Sequence, residues 1–271
     1  MNHDAPELGF VPGEAVDAAR LARRGLLRVG ETCMISALAV FVPADAEGKV
    51  RPVELGDGCQ VGPFAVIFGG TRIGNGARVE EHVVAGRQEQ GYAVGHVYPG
   101  AGAETVIEAG AVIRAGAIIY AGTEVGENTV VGHHTLLRSF VTVGSETQLG
   151  HNLTIERATR IGDLVRCSPG SHITSSCWLA DRVFLGAGVR TVNDKEMTWH
   201  DPDGREPDLS PPVFGTGARV GSGSVILAGV TIGEHALIGA GSVVTRDIPA
   251  GAVAFGVPAR VRGTADSRAV P

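Results

Sequence analysis

The residues whose types and spacing could do chemistry are few. His133 stands two places past Val131, His134 follows it, and His151 lies eighteen residues after His133. Imidazole takes and gives protons near neutral pH, so His133 reads as a base or a substrate-positioning group. The plain alternative is a solvated surface histidine. Asn193 and Asp194 open a stretch rich in acids and proline, and both residue types also favour turns. Arg246 and Arg260, near the C-terminus, carry guanidinium groups of the kind that pair with phosphate, or are simply surface charges. No glycine run leads into Gly-Lys-Ser/Thr before a helix, which excludes a phosphate loop.

What must position these groups is a repeat. From Ile107 to Leu185 every sixth residue is a branched aliphatic except Cys167, and the residue two places earlier is mostly small, as at Thr105, Ala111, Ala117 and Thr123. Helices repeat near 3.6 residues and simple strands at 2, so a period of six belongs to neither. It is the hexapeptide repeat of a parallel β-helix, in which short strands bury their apolar side only by stacking.

A period of eighteen lies on top. Gly follows the aliphatic at 126, 144 and 162, and again at 132, 150 and 186, whereas Tyr120, Arg138, Glu156 and Thr174 fill the third slot. Three hexads therefore make one triangular coil. Two sides are expected to bend at Gly with positive φ. The third is expected to show its long polar column outward, as a protomer contact or a substrate wall.

Residues 53–262 are predicted to form the β-helix. Residues 1–52 are an arm and cap, with a helix over Glu14–Arg24 presenting Ala15, Ala18, Ala19 and Ala22 on one face and stopped by Gly25. Val29, Ile35 and Phe41 keep the six-residue spacing, but three positions do not decide an early rung. The set Leu55, Val61, Ile67, Ile73 and Val79 is four residues out of step with the central one, so an excursion is expected near 86–104. A second is expected at 192–212, which holds six acidic residues, four prolines and Trp199 without any hexad. Such loops carry specificity more often than rungs do. Residues 263–271 are expected to fray.

The 271 residues include forty glycines but only eight Phe, three Tyr and two Trp, which suits a solenoid core rather than a globular α/β enzyme. A net charge of −6 excludes a nucleic-acid or anionic-membrane footprint. With no membrane-length apolar run, no signal-peptide order and no Cys-x-x-Cys, the expectation is a cytoplasmic protein whose four cysteines are ordinary buried thiols.

With these residues in view, the chain resembles the left-handed β-helix, hexapeptide-repeat acyltransferases, most closely those that N-acylate nucleotide-linked amino sugars. The likeness covers about 53–262. It rests on Thr105 through Gly122, on Gly132-His133, on Leu185-Gly186 with Asn193-Asp194-Lys195, and on Ile238 through Thr245 with Gly256-Val257-Pro258-Ala259-Arg260. It implies an all-β, left-handed parallel β-helix with a short N-terminal helical cap and two projecting loops. It also implies a homotrimer with an active site in each groove between prisms, and acetyl-CoA or another acyl-CoA as co-substrate, with no metal expected.

Under the resemblance, His133 is the base or positioning group, with His134 beside it, and Asn193 and Asp194 lie near the acyl donor and acceptor. Ala228 and Ala240 would admit the pantetheine arm, Arg246 and Arg260 would meet the phosphates, and Trp199 would stack on a base or anchor its loop. The expected acceptor is a small-molecule amine. O-acylation of a hydroxyl and a non-catalytic binding or assembly module are the alternatives. A zinc carbonic anhydrase on the same fold is set aside because the His-x4-His spacing is missing.

Overall fold

Each hexad folds as two or three strand residues followed by a tight corner, because one inward aliphatic and one inward small residue are all that a narrow triangular core admits. A computed structural model describes residues 18–44, 49–90, 103–197 and 208–265. The strands form three parallel sheets that run the length of the molecule. The first sheet begins with Leu27–Val29, the second with Met34–Ile35 and the third with Val40–Val42. The first and third sheets hold ten strands each, so there are ten coils among the described residues. The prism is on the order of 45 Å long.

Coils are counted here from the N-terminus. In the central coils every strand pairs with the strand eighteen residues on, as Ile107 does with Val125 and Val131 with Leu149. The aliphatics Ile107, Ile113, Ile119, Val125, Val131, Leu137 and Ile155 are fully buried and touch their counterparts above and below. The small slots are buried too, and several of their hydroxyls are satisfied between coils. Thr129 Oγ1 donates to Gly144 O (2.7 Å) and accepts from Thr147 N (3.0 Å); Thr147 repeats this one coil on with Gly162 O and Val165 N. A polar residue in this core can thus bridge coils, although the buried Thr71 Oγ1 has no hydrogen-bond partner among the described residues.

The out-of-step sets resolve as insertions. Ile73 pairs with Ile107 across 34 residues, and Leu179 with Phe214 across 35. A third insertion escaped the sequence reading: Leu27 pairs with Val53, 26 residues on, and a small bridge joins Ala44 to Val50. The early hexad is therefore a real first coil, although Val29 at its start is exposed. All three insertions leave from the same place, the edge where the third sheet turns into the first. Of the second excursion, residues 198–207 with Trp199 lie outside the described set, as do 91–102 of the first.

Three expectations need correction. The glycines after the aliphatic do not take positive φ. That conformation falls two places later, at Gly110, Gly116 and Gly122, but also at Asn128, His134, Phe140 and Ala158. Glycine is needed after the aliphatic because a Cβ there would strike the next coil's backbone: at Gly132 it would lie 2.3 Å from Gly150 O. Second, in the described part of the helix, Ala18–Arg23, the buried residue is Leu21, and Ala19 and Ala22 are exposed; residues 14–17, with Ala15, lie outside the described residues. One large side chain covers the narrow end of the prism better than a row of methyl groups. Third, Cys33 is only half-buried, whereas Cys59, Cys167 and Cys177 are buried.

The chain ends in a feature unlike the rest. Ala252–Gly256 pairs parallel with Leu237–Ile238, and Ala259–Thr264 folds back antiparallel on it, giving the second sheet twelve strands. This hairpin leaves the hexad pattern just past the last coil. Residues 266–271 lie outside the described set.

Candidate active site on two edges of one face

Two edges of the prism carry the candidate groups, with the third sheet between them. The edge between the second and third sheets carries His133 (coil 5), His151 (coil 6) and Ala240 (coil 10). His133 and His151 stack with ring centroids 5.0 Å apart, and His133 N–H donates to His151 Nδ1 at 3.0 Å. An Nδ1 that accepts this bond leaves the proton of a neutral His151 ring on Nε2, and His151 is exposed. His133 is half-buried beside it.

His134 has another occupation. Its φ is 54°, and its ring lies over Gly116 one coil down, where a Cβ would come within 2.4 Å of Nδ1. Asn128 covers Gly110 and Phe140 covers Gly122 in the same way. Packing of the corners thus accounts for His134.

Above His151 this edge becomes bare. Its corner residues are Pro169-Gly170, Ala187-Gly188, Ser222-Gly223 and Ala240-Gly241, and nothing stands within 4 Å of a Cβ built at Gly170, Gly188, Gly223 or Gly241. An open track of small residues therefore runs from the histidines up to the C-terminal hairpin, five coil spacings or roughly 24 Å. That is the shape a long thin substrate requires. Arg260 is exposed on the hairpin at the track's upper end, its Nη1 donating to Ala259 O at 3.0 Å.

The edge between the third and first sheets carries the other groups: Asn193 and Asp194 (coil 8), Ala228 (coil 9) and Arg246 (coil 10). Asn193 Nδ2 donates to Ser175 Oγ at 2.8 Å. Asp194 Oδ1 accepts from Glu196 N (2.8 Å) and Met197 N (3.0 Å), so this carboxylate closes a turn. Ala228 is 9% exposed, and Arg246 is exposed. Lys195, which the sequence did not single out beyond the motif around it, brings its Nζ within 3.1 Å of where a Cβ on Gly229 would be, and so sets a cation beside Ala228.

One protomer therefore does not unite the predicted site. His133 and Asn193 stand on opposite edges of the third sheet and three coils apart, roughly 14 Å along the axis. Ala228 and Ala240 are divided in the same way.

The polar column expected to face outward lies on the excursion edge and is largely folded inward. Arg138 is 17% exposed and Thr174 8%. Arg138 Nε is in close contact with Glu89 Oε1, and Glu89 Oε2 accepts from Ser139 N (3.1 Å) and Ser139 Oγ (2.9 Å). Glu156 Oε1 meets His172 Nε2 at 3.1 Å and Arg138 Nη1 at 3.8 Å, while Oε2 accepts from Ser175 N at 3.3 Å. The hydrogen bond to His172 holds the Glu156 carboxyl below the usual glutamate range against the opposing effect of its burial. The sequence placed Glu156 in the polar column one coil above Arg138, where the other two edges carry glycine, whereas Glu89 escaped the sequence reading and no spacing marks it.

Burial pushes the Cys59 thiol up to about 11 and the Cys167 thiol up to about 12, and raises Cys177 as well, so none of these is a nucleophile near neutral pH. No cluster of three or more metal-capable side chains is gathered among the described residues.

Comparison with known proteins agrees with this architecture. The bacterial transferase hexapeptide (six repeats) family matches residues 104–139 and 211–246. A stretch of 47 residues, 17% of this chain, is 64% identical to the dTDP-3-amino-3,6-dideoxy-alpha-D-galactopyranose 3-N-acetyltransferase of Aneurinibacillus thermoaerophilus and covers 24% of it. The bifunctional protein GlmU of Alkalilimnicola ehrlichii is 29% identical over 86% of this chain and 38% of its own length. The chain thus spans between about a quarter and two fifths of these curated relatives. Among solved structures, a UDP-N-acetylglucosamine acyltransferase from Bacteroides fragilis superposes with a TM-score of 0.55 at 16% identity, over 85% of this chain and 74% of that one, which shows the fold. The resemblance read from the repeats stands: the chain is a hexapeptide-repeat, left-handed parallel β-helix of the kind those acyltransferases use.

Proposed function

We propose that this chain is a coenzyme-A-dependent N-acyltransferase, acetyl most naturally, that acylates the amine of a nucleotide-linked amino sugar. The observation that carries the reading is the 64% identity to the dTDP-amino-sugar 3-N-acetyltransferase, found in a chain whose open track ends in two stacked histidines.

The proposal includes a ring of three copies, supported by the third sheet. Its outward residues Val66, Val84, Ile118, Leu136, Val225 and Val243 are apolar and half-buried, with Thr154, His172 and Arg190 between them on coils 6 to 8, whereas the first sheet shows Arg28, Glu54, Arg72, Glu124 and Arg160 beside Val106, Thr142, Trp178, Val213 and Thr231. An apolar side turned toward a threefold axis brings the histidine edge of each copy against the excursion edge of the next. The two halves of the predicted site then face one another across a cleft. At the height of His133 the neighbour offers Phe140, Ser139 and the Glu89 end of the first excursion. At the height of Ala187 and Gly188 it offers Asn193.

The chemistry follows from that cleft. The thioester substrate lies along the small-residue track, its phosphates near Arg260 of one copy and Arg246 of the next, its acyl carbon near His133. The acceptor nitrogen attacks the carbonyl carbon, the C–N bond forms and the C–S bond breaks. His133 takes the proton from nitrogen, and the coenzyme leaves as a thiolate that regains a proton. Asn193, higher on the track, faces the arm's amides rather than the reacting carbon. Unpaired cysteines support a reducing, cytoplasmic setting. Among the described residues, no helix is long and apolar enough to cross a membrane.

Thiol release from acetyl-CoA tests the reading. It should appear with a dTDP- or UDP-linked amino sugar and not with the corresponding hydroxyl sugar. Release only with the hydroxyl acceptor would mean O-acylation, and none with either would mean a binding module.

A further inference from the structure

We infer that Glu156, with His172, is a positioning junction that ties together the described limbs of the two excursions, so that residues 88–90 at the acceptor height and 193–197 at the donor height do not move independently. The assignment of heights rests on the function proposed above; the junction itself rests on contacts within one chain.

Those contacts form an unbroken line across four coils. Glu89 belongs to the outgoing limb of the first excursion and is 4% exposed. It grips coil 5 through Arg138 and through both the N–H and the hydroxyl of Ser139. Arg138 reaches up to Glu156 on coil 6. Glu156 reaches up to coil 7, bonding His172 with one oxygen and the Ser175 amide with the other. Ser175 in turn takes the Asn193 side-chain amide on coil 8, both at Oγ (2.8 Å) and at its carbonyl (3.4 Å). Asn193 is the first polar residue of the second excursion.

Elsewhere the coils are joined by backbone ladders and by threonine hydroxyls of the core, such as Thr129 with Thr147 and Thr174 with Thr191, which hold rungs and do not include Glu89 or Asn193. Glu156 is the carboxylate here whose side chain meets both neighbouring coils, by an ion pair with Arg138 at 3.8 Å below and by hydrogen bonds to His172 and the Ser175 amide above, and its charge strengthens the latter. The groups around His172 are Glu156, Thr154 on the coil below and Arg190 on the coil above. Arg138 is the second cation on Glu156. Glu156 is therefore the sole carboxylate among the contacts just named that can balance both Arg138 and His172.

The test is hydrogen exchange of the full chain, read at residues 88–90 with the Ser139 amide, and at 193–197. Asn193→Ala removes the top link and leaves the core strands alone. It should speed exchange at the Ser139 amide and 88–90 by about threefold or more, although these lie three coils away. Glu156→Gln should speed both ends, by about tenfold. Amides in the strands at 112–113 and 130–131 should stay unchanged and so report an intact fold. An effect of Asn193→Ala confined to 173–197, or of Glu156→Gln confined to 172–176, would overturn the inference. Turnover is not needed for either reading, so a failure of the proposed activity would show separately as absent thiol release. Where activity is found, Glu156→Gln should raise the acceptor KM about tenfold with kcat changed less than threefold. An unchanged KM would also count against it.

Discussion

Consider Gly132→Ala beside Gly188→Ala. Both add one methyl group to a corner of the same edge, and an argument from glycine's conformational freedom would rank them in the wrong order. Gly188 has φ of 68°, and nothing stands within 4 Å of the new Cβ, so the change meets only the strain of a left-handed backbone, about 1 kcal/mol. At Gly132 the Cβ would lie 2.3 Å from Gly150 O, 2.4 Å from Gly150 C and 2.8 Å from His151 N. Relief requires the two coils to part by about 1 Å. The bond from Gly132 N to Leu149 O, now 2.8 Å, would stretch beyond hydrogen-bond range, and the His133 N–H bond to His151 with it. Two lost bonds at about 1 kcal/mol each and overpacking strain of about 1–3 kcal/mol sum to about 3–5 kcal/mol. Thermal melts by circular dichroism at one fixed protein concentration should show Gly132→Ala lower by about 10 °C and Gly188→Ala by about 3 °C. Equal losses, or the reverse order, would refute the claim that close approach of the coils, not φ, selects these glycines.

Three further outcomes follow from the same geometry. His133→Asn should leave the fold intact and lower turnover by about 10²–10⁴, while an unchanged rate across the pH range would remove His133 from proton transfer. Arg260→Ala should raise the KM for the coenzyme and leave that of the acceptor unaltered; the opposite pattern would contradict its place at the track's end. An aromatic disulfide reagent at pH 8 should label Cys33 in the folded protein and spare Cys59, Cys167 and Cys177, whose buried thiols stay protonated there. Labelling of a second thiol before unfolding would show that the coils open.

The hexad made the fold legible because every coil repeats one constraint: a branched aliphatic and a small residue must point into a space too narrow for more. Ile107 through Leu185 therefore fall where the spacing puts them, and phase slips mark insertions. The insertion between Phe41 and Val53 went unread because the repeats before it are too few to define a phase. The corners were legible in position but not in mechanism, since glycine serves two purposes there. One glycine lets the next coil approach, and another, two places on, relieves a left-handed turn that Asn128 or Phe140 can also adopt.

The candidate site was legible only in parts. His133 stood out by type and by the motif around it, while nothing in the spacing showed that the ring of His134 packs over Gly116. Asp194, near the acyl donor and acceptor under the resemblance or else a turn former, accepts the Glu196 and Met197 amides in a turn. The Glu89–Arg138–Glu156 line joins residues far apart in sequence, and no spacing announces a contact between an excursion and a rung. That the predicted groups divide between two edges could not be read until the coils were counted around the prism.

The central claim is that one cleft takes His133 from one copy and the excursion edge, with Asn193, from the next. The direct measurement is subunit mixing: His133→Asn and Asn193→Ala proteins, each weakened, are unfolded together, refolded and assayed for thiol release. A cleft shared between copies predicts that mixed rings regain activity well above the average of the two parents, because some clefts then carry neither substitution. Activity no higher than that average would contradict it.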